Sequence, residues 1–277
     1  DVEEARGLLK AAGSDARIVA KIERSEAIPR LEQIIKASDA VMVARGDLGV
    51  EVGYAQLTGL QKQILHMARN LDRVTITATQ MMESMIHSPV PTRAEVSDVA
   101  NAVLDGSDAV MLSGESAVGK YPSRAVEAMA EVIEGAEKYQ LARSSGGERF
   151  EGRVTEFAQA IAHAVMFTAS HMDVEAIVAL TESGSTPLWM SRIRSDIPIF
   201  AFTPHERTQR RVALYRGVYP IPFDITHADP AELYRAISRE LINRGHVSPG
   251  DELILTLGEF SGVSGGTNTM KLLRVEA

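Results

Sequence analysis

The chain has 277 residues, a net charge of −8, and a composition that is 45% hydrophobic, 24% charged and 5% aromatic, as expected of about two globular domains of ordinary size. With no cysteine, these residues exclude a disulfide scaffold, a cysteine-ligated zinc or iron–sulfur site and a thiol nucleophile. The acidic balance argues against a nucleic-acid or anionic-membrane surface, and charge breaks every apolar run short of the roughly 18 residues a membrane span needs, so a cytoplasmic protein is expected.

The opening stretch, Asp1 to Ala16, does not start with Met and reads as the body of a helix. Short apolar, β-branched runs then follow at Arg17–Ile22, Ala40–Ala44, Arg73–Ala78 and Asp108–Leu112. Between and after them, apolar residues recur at helical spacing over Ser25–Ala37, Gln56–Leu71, Thr92–Leu104 and Pro122–Lys138. Strands this apolar are buried on both faces, and their alternation with helices predicts parallel pairing through helical crossovers. A polar, Gly-containing stretch, Arg143 to Arg149, reads as a linker. The alternation then resumes. Helices are predicted over Thr155–His171, Pro187–Arg194, Glu206–Tyr215 and Pro230–Asn243, with strands over Ala176–Leu180, Ile197–Phe202, Val218–Ile221, Glu252–Leu257 and Thr269–Val275. The whole predicts an α/β protein, with a second three-layer α/β domain after the linker.

In the first half the polar groups gather at the carboxyl ends of the runs: Lys21 and Glu23, then Arg45-Gly46-Asp47, Thr79-Gln80, and Ser113-Gly114-Glu115. In a (β/α)₈ barrel those ends share one face, where active sites lie. Lys21 and Glu23, two apart, project to one side of a strand. Alone they read first as an ordinary ion pair, but Asp47 adds a second carboxylate from the next strand end. Two carboxylates with open positions suit Mg²⁺ or Mn²⁺, and Lys21 beside them offers fixed positive charge to a phosphoryl or enolate oxygen. Gly46 permits close backbone approach at a helix start, where amides receive a carboxylate or phosphate; an ordinary β–α turn is the competing reading. Thr79 is a hydrogen-bonding residue for substrate, and the methionines after it are core filling. The stretch Gly114 to Lys120 imitates a phosphate loop, but Tyr121 stands where the metal-binding Ser or Thr belongs, so a solvated Lys120 is expected. His66 and His87 have no motif partners. In the second half, Thr181-Glu-Ser-Gly-Ser-Thr186 follows a strand and opens a helix, which makes either a phosphate nest around Gly184 or a plain helix cap. Gly258 to Asn268 is a Gly-rich loop that either folds over a bound phosphate or forms a simple hairpin.

Ile18-Val-Ala-Lys-Ile-Glu, Val41-Met-Val-Ala-Arg-Gly-Asp-Leu-Gly-Val-Glu, Ile76-Thr-Ala-Thr-Gln-Met-Met-Glu-Ser-Met, Pro91-Thr-Arg-Ala-Glu-Val, Asp98-Val-Ala-Asn-Ala-Val-Leu-Asp-Gly and Met111-Leu-Ser-Gly-Glu-Ser-Ala closely resemble the pyruvate kinase family, in that family's order. The likeness runs on to Gly266-Thr-Asn-Thr, and the Thr-Glu-Ser-Gly segment looks like that of a bacterial form. The resemblance implies the second half of a (β/α)₈ catalytic barrel over residues 1–140 and an α/β regulatory domain over 141–277. It implies transfer of the phosphoryl group of phosphoenolpyruvate to ADP, giving pyruvate and ATP. Lys21 would stabilise the moving phosphoryl group. Glu23 and Asp47 would hold Mg²⁺. Ala44, Gly46, Asp47 and Thr79 would bind phosphoenolpyruvate or pyruvate, with amides after Ala44 receiving the carboxylate. Thr181, Ser183, Gly184, Ser185 and Thr186 would hold the phosphate of an allosteric effector. K⁺ is implied as well, with ligands outside these residues, as is a homotetramer.

Family members carry earlier barrel strands, bearing an Arg, an Asn, a Ser and an Asp for phosphate and K⁺, and a small lid domain. About four of the eight strands of a closed barrel are present here, so the chain is expected to be a portion of a longer polypeptide. Alone it would be an open half-barrel without kinase activity. Two other functions fit parts of the pattern: a Mg²⁺-dependent lyase acting on pyruvate enolates, and a non-catalytic module that binds phosphosugars.

Overall fold

The computed structural model describes residues 1–143, 154, 156–224, 229–258 and 265–276. They fall into two compact units, Asp1–Arg143 and Ser144–Ala277. The predicted linker beyond Arg143, the position of Thr155 and residues 259–264 of the Gly-rich loop lie outside the described residues.

In the first unit, the chain runs α1 (Val2–Ala11), β1 (Val19–Ile22), a 3₁₀ segment (Ser25–Arg30), α2 (Leu31–Ala37), β2 (Ala40–Ala44), α3 (Arg45–Val52), α4 (Tyr54–Asn70), β3 (Val74–Ala78), a second 3₁₀ segment (Glu83–Ile86), α5 (Arg93–Leu104), β4 (Ala109–Met111), α6 (Gly114–Ala117) and α7 (Pro122–Arg143). The four strands form a parallel sheet in chain order, β1-β2-β3-β4. Helical crossovers make that order possible, and they cover one face of the sheet. Ile22, Val41 and Val43 pack with Ile35, Leu48, Ile64 and Leu65 in one cluster. Met81, Met82 and Met85, all fully buried, pack with Val99, Ala102 and Met129 in another, as gap-filling methionines should. Each aliphatic side chain buried this way contributes about 1.5–3 kcal/mol relative to exposure.

Several boundaries differ from the sequence reading, and two of those in this unit have a clear local cause. The helix expected over Ser25–Ala37 is a 3₁₀ segment to Arg30 and an α-helix only from Leu31, because Pro29 has no amide to donate and disfavours the α conformation at Ile28. The first strand starts at Val19 rather than Arg17, since Asp39 takes both preceding residues: its carboxylate accepts from the Ile18 amide at 2.9 Å and pairs with Arg17.

The second unit contains α8 (Phe157–Ala169), β5 (Ala176–Leu180), α9 (Ser185–Ser191), β6 (Ile199–Thr203), α10 (Glu206–Val212), β7 (Val218–Pro222), α11 (Pro230–Asn243), β8 (Glu252–Gly258) and β9 (Thr267–Arg274). The sheet order is β7-β6-β5-β8-β9, parallel except for the antiparallel β8–β9 pair. Every residue of β5 and β6 is buried. Val178, Phe200, Phe202 and Leu255 meet Ile237 and Leu241 of α11 on one face, while Ile177, Ala179, Ala201 and Ile254, which alternate with them, are buried on the other. Helices α9 and α10 end earlier than expected, at Ser191 and Val212. Helix α11 has the expected limits, set by Asp229, whose carboxylate accepts from the Ala231 amide at 3.1 Å, and by Pro230 in the first turn.

Candidate functional site

In the first unit, Lys21 lies between the buried Ala20 and Ile22 and points to the face away from the helices. The register aligns it with Met42, and Met42 with Ile76, in one row across the sheet. Ile22 pairs with Val43, which brings Glu23 to the level of Ala44, where α3 begins. The Lys21 ammonium stands 2.5 Å from Glu23 Oε2, an oxygen shielded from water. Its pKa is held above the usual lysine value, first by hydrogen bonding and charge from Glu23, then by the Asp47 carboxylate, which outweigh a burial effect of opposite sign. Asp47 is exposed on the first turn of α3. Lys21 and Glu23 therefore form an ion pair at the carboxyl end of β1, and Asp47, just past the end of β2, is near enough for its charge to act on Lys21. The two carboxylates offer hard oxygens, a set that fits Mg²⁺ or Mn²⁺ with water or substrate oxygens completing the shell.

Ala44 is fully buried at the start of α3. The first amides of a helix have no partner within it, and here the Gly46 amide is met from the next strand by Thr79 Oγ1 at 2.8 Å. That hydroxyl donates its own proton to Ala78 O at 2.6 Å. The amide cradle expected after Ala44 is thus partly filled by Thr79, which acts as a remote cap. Thr79 and Gln80 both have positive φ, 68° and 54°. For a β-branched residue this conformation costs about 1–2 kcal/mol, so its surroundings must impose it.

Those surroundings include residues to which the sequence reading gives no individual role, although it places Arg45 and Glu115 among the polar groups at the strand ends. Arg45 is buried, and its Nη2 donates to Thr79 O at 2.9 Å and to Gln80 O at 3.3 Å, while its Nη1 meets Asp98 Oδ1 at 2.6 Å. Glu115, 2% exposed, accepts from the Met82 amide at 3.0 Å and the Ser113 amide at 2.7 Å, tying the β3 exit to the β4 exit. Glu95 closes a capping box with Thr92 and also accepts from Ser84. The available signals were the strand-end position of Arg45 and Glu115 and, for Glu95, the Thr92-x-x-Glu95 spacing of a capping box. The phosphate-loop imitation at Gly114 to Lys120 is a tight turn around Glu115, with Lys120 exposed. His66 and His87 are exposed as well.

In the second unit, the segment Thr181 to Thr186 joins β5 to α9 through Gly184, whose φ is 81°. Four of its five predicted ligands, all but Gly184, separate into two groups. Thr181 and Thr186 are buried, and their hydroxyls are engaged internally: Thr181 Oγ1 accepts from the Gly184 amide at 2.9 Å, and Thr186 Oγ1 lies 2.8 Å from Thr267 Oγ1 on β9. Ser183 and Ser185 are partly exposed, with hydroxyls 3.0 Å apart. Beside them opens a cleft of about 480 Å³ lined by Glu182, Ser183, His205, Thr208 and Arg211, among others. Arg211 donates to Ser183 O at 2.6 Å, and Thr208 to Glu182 O at 2.6 Å. His205 and Arg211 were not readable as site residues, since nothing in the sequence brings the start of α10 to the end of β5.

Residues 1–126 match the family model described as the pyruvate kinase barrel domain, and residues 159–273 match that of the pyruvate kinase alpha/beta domain. The chain belongs to the pyruvate kinase family. Among curated relatives, it is 51% identical to pyruvate kinase II of Salmonella typhimurium, over 100% of this chain and 58% of that protein. It is 50% identical to a pyruvate kinase of Buchnera aphidicola over 99% of this chain, and 48% identical to that of Haemophilus influenzae over 100%. The chain thus spans 58% of the length of these relatives. The expected α/β class, with a barrel portion followed by an α/β domain, agrees with the two pyruvate kinase family models and with the two observed sheets. No described helix is long and apolar enough to cross a membrane.

Proposed function

We propose that the full-length gene product is a pyruvate kinase, transferring the phosphoryl group of phosphoenolpyruvate to ADP to give pyruvate and ATP, and that the rim of the first unit carries half of the chemistry. What supports this most is the Lys21–Glu23 ion pair, with Asp47 near it past the adjacent strand end, in a chain of this family. Phosphoryl transfer asks a protein mainly for positioning and charge neutralisation. Lys21, fully protonated and standing clear of the helices, places its ammonium against the transferring phosphoryl oxygens. Glu23 and Asp47 would hold Mg²⁺ or Mn²⁺, which supplies Lewis-acid polarisation of substrate oxygens. The helix start at Ala44 to Asp47 orients the substrate carboxylate, and Thr79 fixes one edge of that cradle. K⁺, if required, takes its ligands from elsewhere in the full-length protein.

In the second unit, the reading is an effector site in which Ser183 and Ser185 face the phosphate while Thr181 and Thr186 shape the loop. Homotetrameric assembly and a cytosolic location belong to the same proposal.

The test is a lactate-dehydrogenase-coupled assay of the full-length protein with phosphoenolpyruvate, ADP and Mg²⁺. Pyruvate formation that depends on ADP is expected, and Lys21→Met removes it while Mg²⁺ binding, followed by calorimetry, persists. Pyruvate formed without ADP would overturn the kinase reading in favour of a lyase.

A further inference from the structure

Arg45 opens α3, yet its side chain serves other elements. Its Nη2 holds the carbonyls of Thr79 and Gln80, the two residues forced to positive φ at the β3 exit, and touches Met81 Sδ at 2.8 Å. Its Nη1 holds Asp98 on α5. The pair is unequal: the Arg45 side chain is 6% exposed and that of Asp98 is 41%. A buried guanidinium matched to a half-solvated carboxylate is a poor device for stability alone, because desolvation falls on the cation while water weakens the attraction. Its Nε is buried without a hydrogen-bond partner, a further cost that an apolar side chain would avoid. What the fork does supply is geometry, two donor directions in one plane that a lysine cannot reproduce.

Building on the phosphotransferase reading above, we propose that Arg45 is a positioning residue for the phosphoenolpyruvate half of the site. By clamping the Thr79 and Gln80 peptides against α5, it holds Thr79 in the left-handed conformation in which Oγ1 reaches the Gly46 amide. That contact sets the direction of the amides next to Asp47. Without the clamp, the β3 exit relaxes toward ordinary φ, Thr79 Oγ1 withdraws, and the cradle for the substrate carboxylate loses its edge. ADP binding, which does not depend on this edge, is unaffected.

Steady-state kinetics of the full-length protein, with each substrate varied, test the assignment. Arg45→Met should raise the KM for phosphoenolpyruvate or lower kcat by about tenfold or more, the scale expected of a sub-ångström to 1 Å misplacement, while the KM for ADP stays within about twofold. Arg45→Lys should recover only part of the loss, and Asp98→Asn should give a smaller defect of the same kind. In a Thr79→Ala background the effect of Arg45→Lys on phosphoenolpyruvate should largely vanish, since residues acting through one another are not additive. Wild-type kinetics in both Arg45→Lys and Asp98→Asn, or equal losses for both substrates, would overturn the proposal. If Arg45→Met does not fold, those two variants decide. Hydrogen exchange over residues 45–47 gives a readout separate from activity: faster exchange at the Gly46 amide is expected in Arg45→Lys, and unchanged protection counts against the clamp. A wild-type protein with no ADP-dependent turnover would defeat the kinase reading, and the exchange result would still settle whether Arg45 positions Thr79.

Discussion

Replacing Glu115 by Gln removes one charge and almost no volume, so its cost isolates the hydrogen bonds that this residue makes. The carboxylate is 2% exposed, and its two oxygens serve different backbone donors: Oε1 accepts from the Met82 amide at 3.0 Å, and Oε2 from the Ser113 amide at 2.7 Å. A glutamine offers one oxygen and one NH₂ group, so either flip leaves a backbone amide facing another donor. Losing a hydrogen bond to a charged group and stranding a buried N–H costs about 2–3 kcal/mol. At a urea m-value of about 2 kcal/mol/M this lowers the unfolding midpoint by about 1–1.5 M. The measurement is urea unfolding of the full-length protein, with the exposed Glu83→Gln as a control expected within about 0.5 kcal/mol of wild type. Hydrogen exchange should also accelerate at one of the two amides, Met82 or Ser113. A midpoint for Glu115→Gln indistinguishable from the control would refute the view that this carboxylate ties two loop exits together.

A methyl group at Gly46 would stand 3.5 Å from Thr79 Oγ1, an ordinary contact. Gly46→Ala should therefore keep or raise the melting temperature, with up to about 1 kcal/mol gained from helix propensity, while weakening phosphoenolpyruvate binding; a lower melting temperature with normal binding would contradict the geometry. Burial pushes the Asp39 carboxyl up, but the Ile18 amide, Arg17 and Arg6 together bring it below its usual value. Its stabilising contribution is therefore present above the unfolded pKa of about 3.9 and lost as pH falls through the lower folded value. The stability gap between wild type and Asp39→Asn should narrow in urea titrations taken from pH 6 toward pH 3. Gly184→Ala places a β-carbon 2.8 Å from Val212 Cγ1 at a φ of 81°, so a loss of about 1–2 kcal/mol or more is expected in thermal unfolding of the second unit.

The contrast between what could and could not be read from sequence follows the range of the interactions. Lys21, Glu23 and Asp47 were legible because a period of two places the first pair on one side of a strand, and because strand ends in parallel sheets converge. The strands themselves were legible from β-branched runs, and α11 from Asp229 and Pro230. Arg45 and Asp98 were not, being 53 residues apart and joined only by folding. Glu115 was read as part of a phosphate-loop imitation, although its carboxylate reaches back 33 residues to the Met82 amide. The left-handed backbone of Thr79 had no local signal, because a β-branched residue argues against positive φ; the strain exists only where the buried guanidinium of another element imposes it.

The hydroxyl pair between Thr186 and Thr267 joins residues 81 positions apart. During synthesis on the ribosome, the segment after β5 emerges long before the strand that secures it. Thr186 gains its buried partner only after β9 has been translated and added to the edge of the sheet. The second unit thus has a built-in order of maturation. Its parallel strands can pair as they appear, but the loop proposed to receive a phosphate gains this buried contact only once β9 is in place.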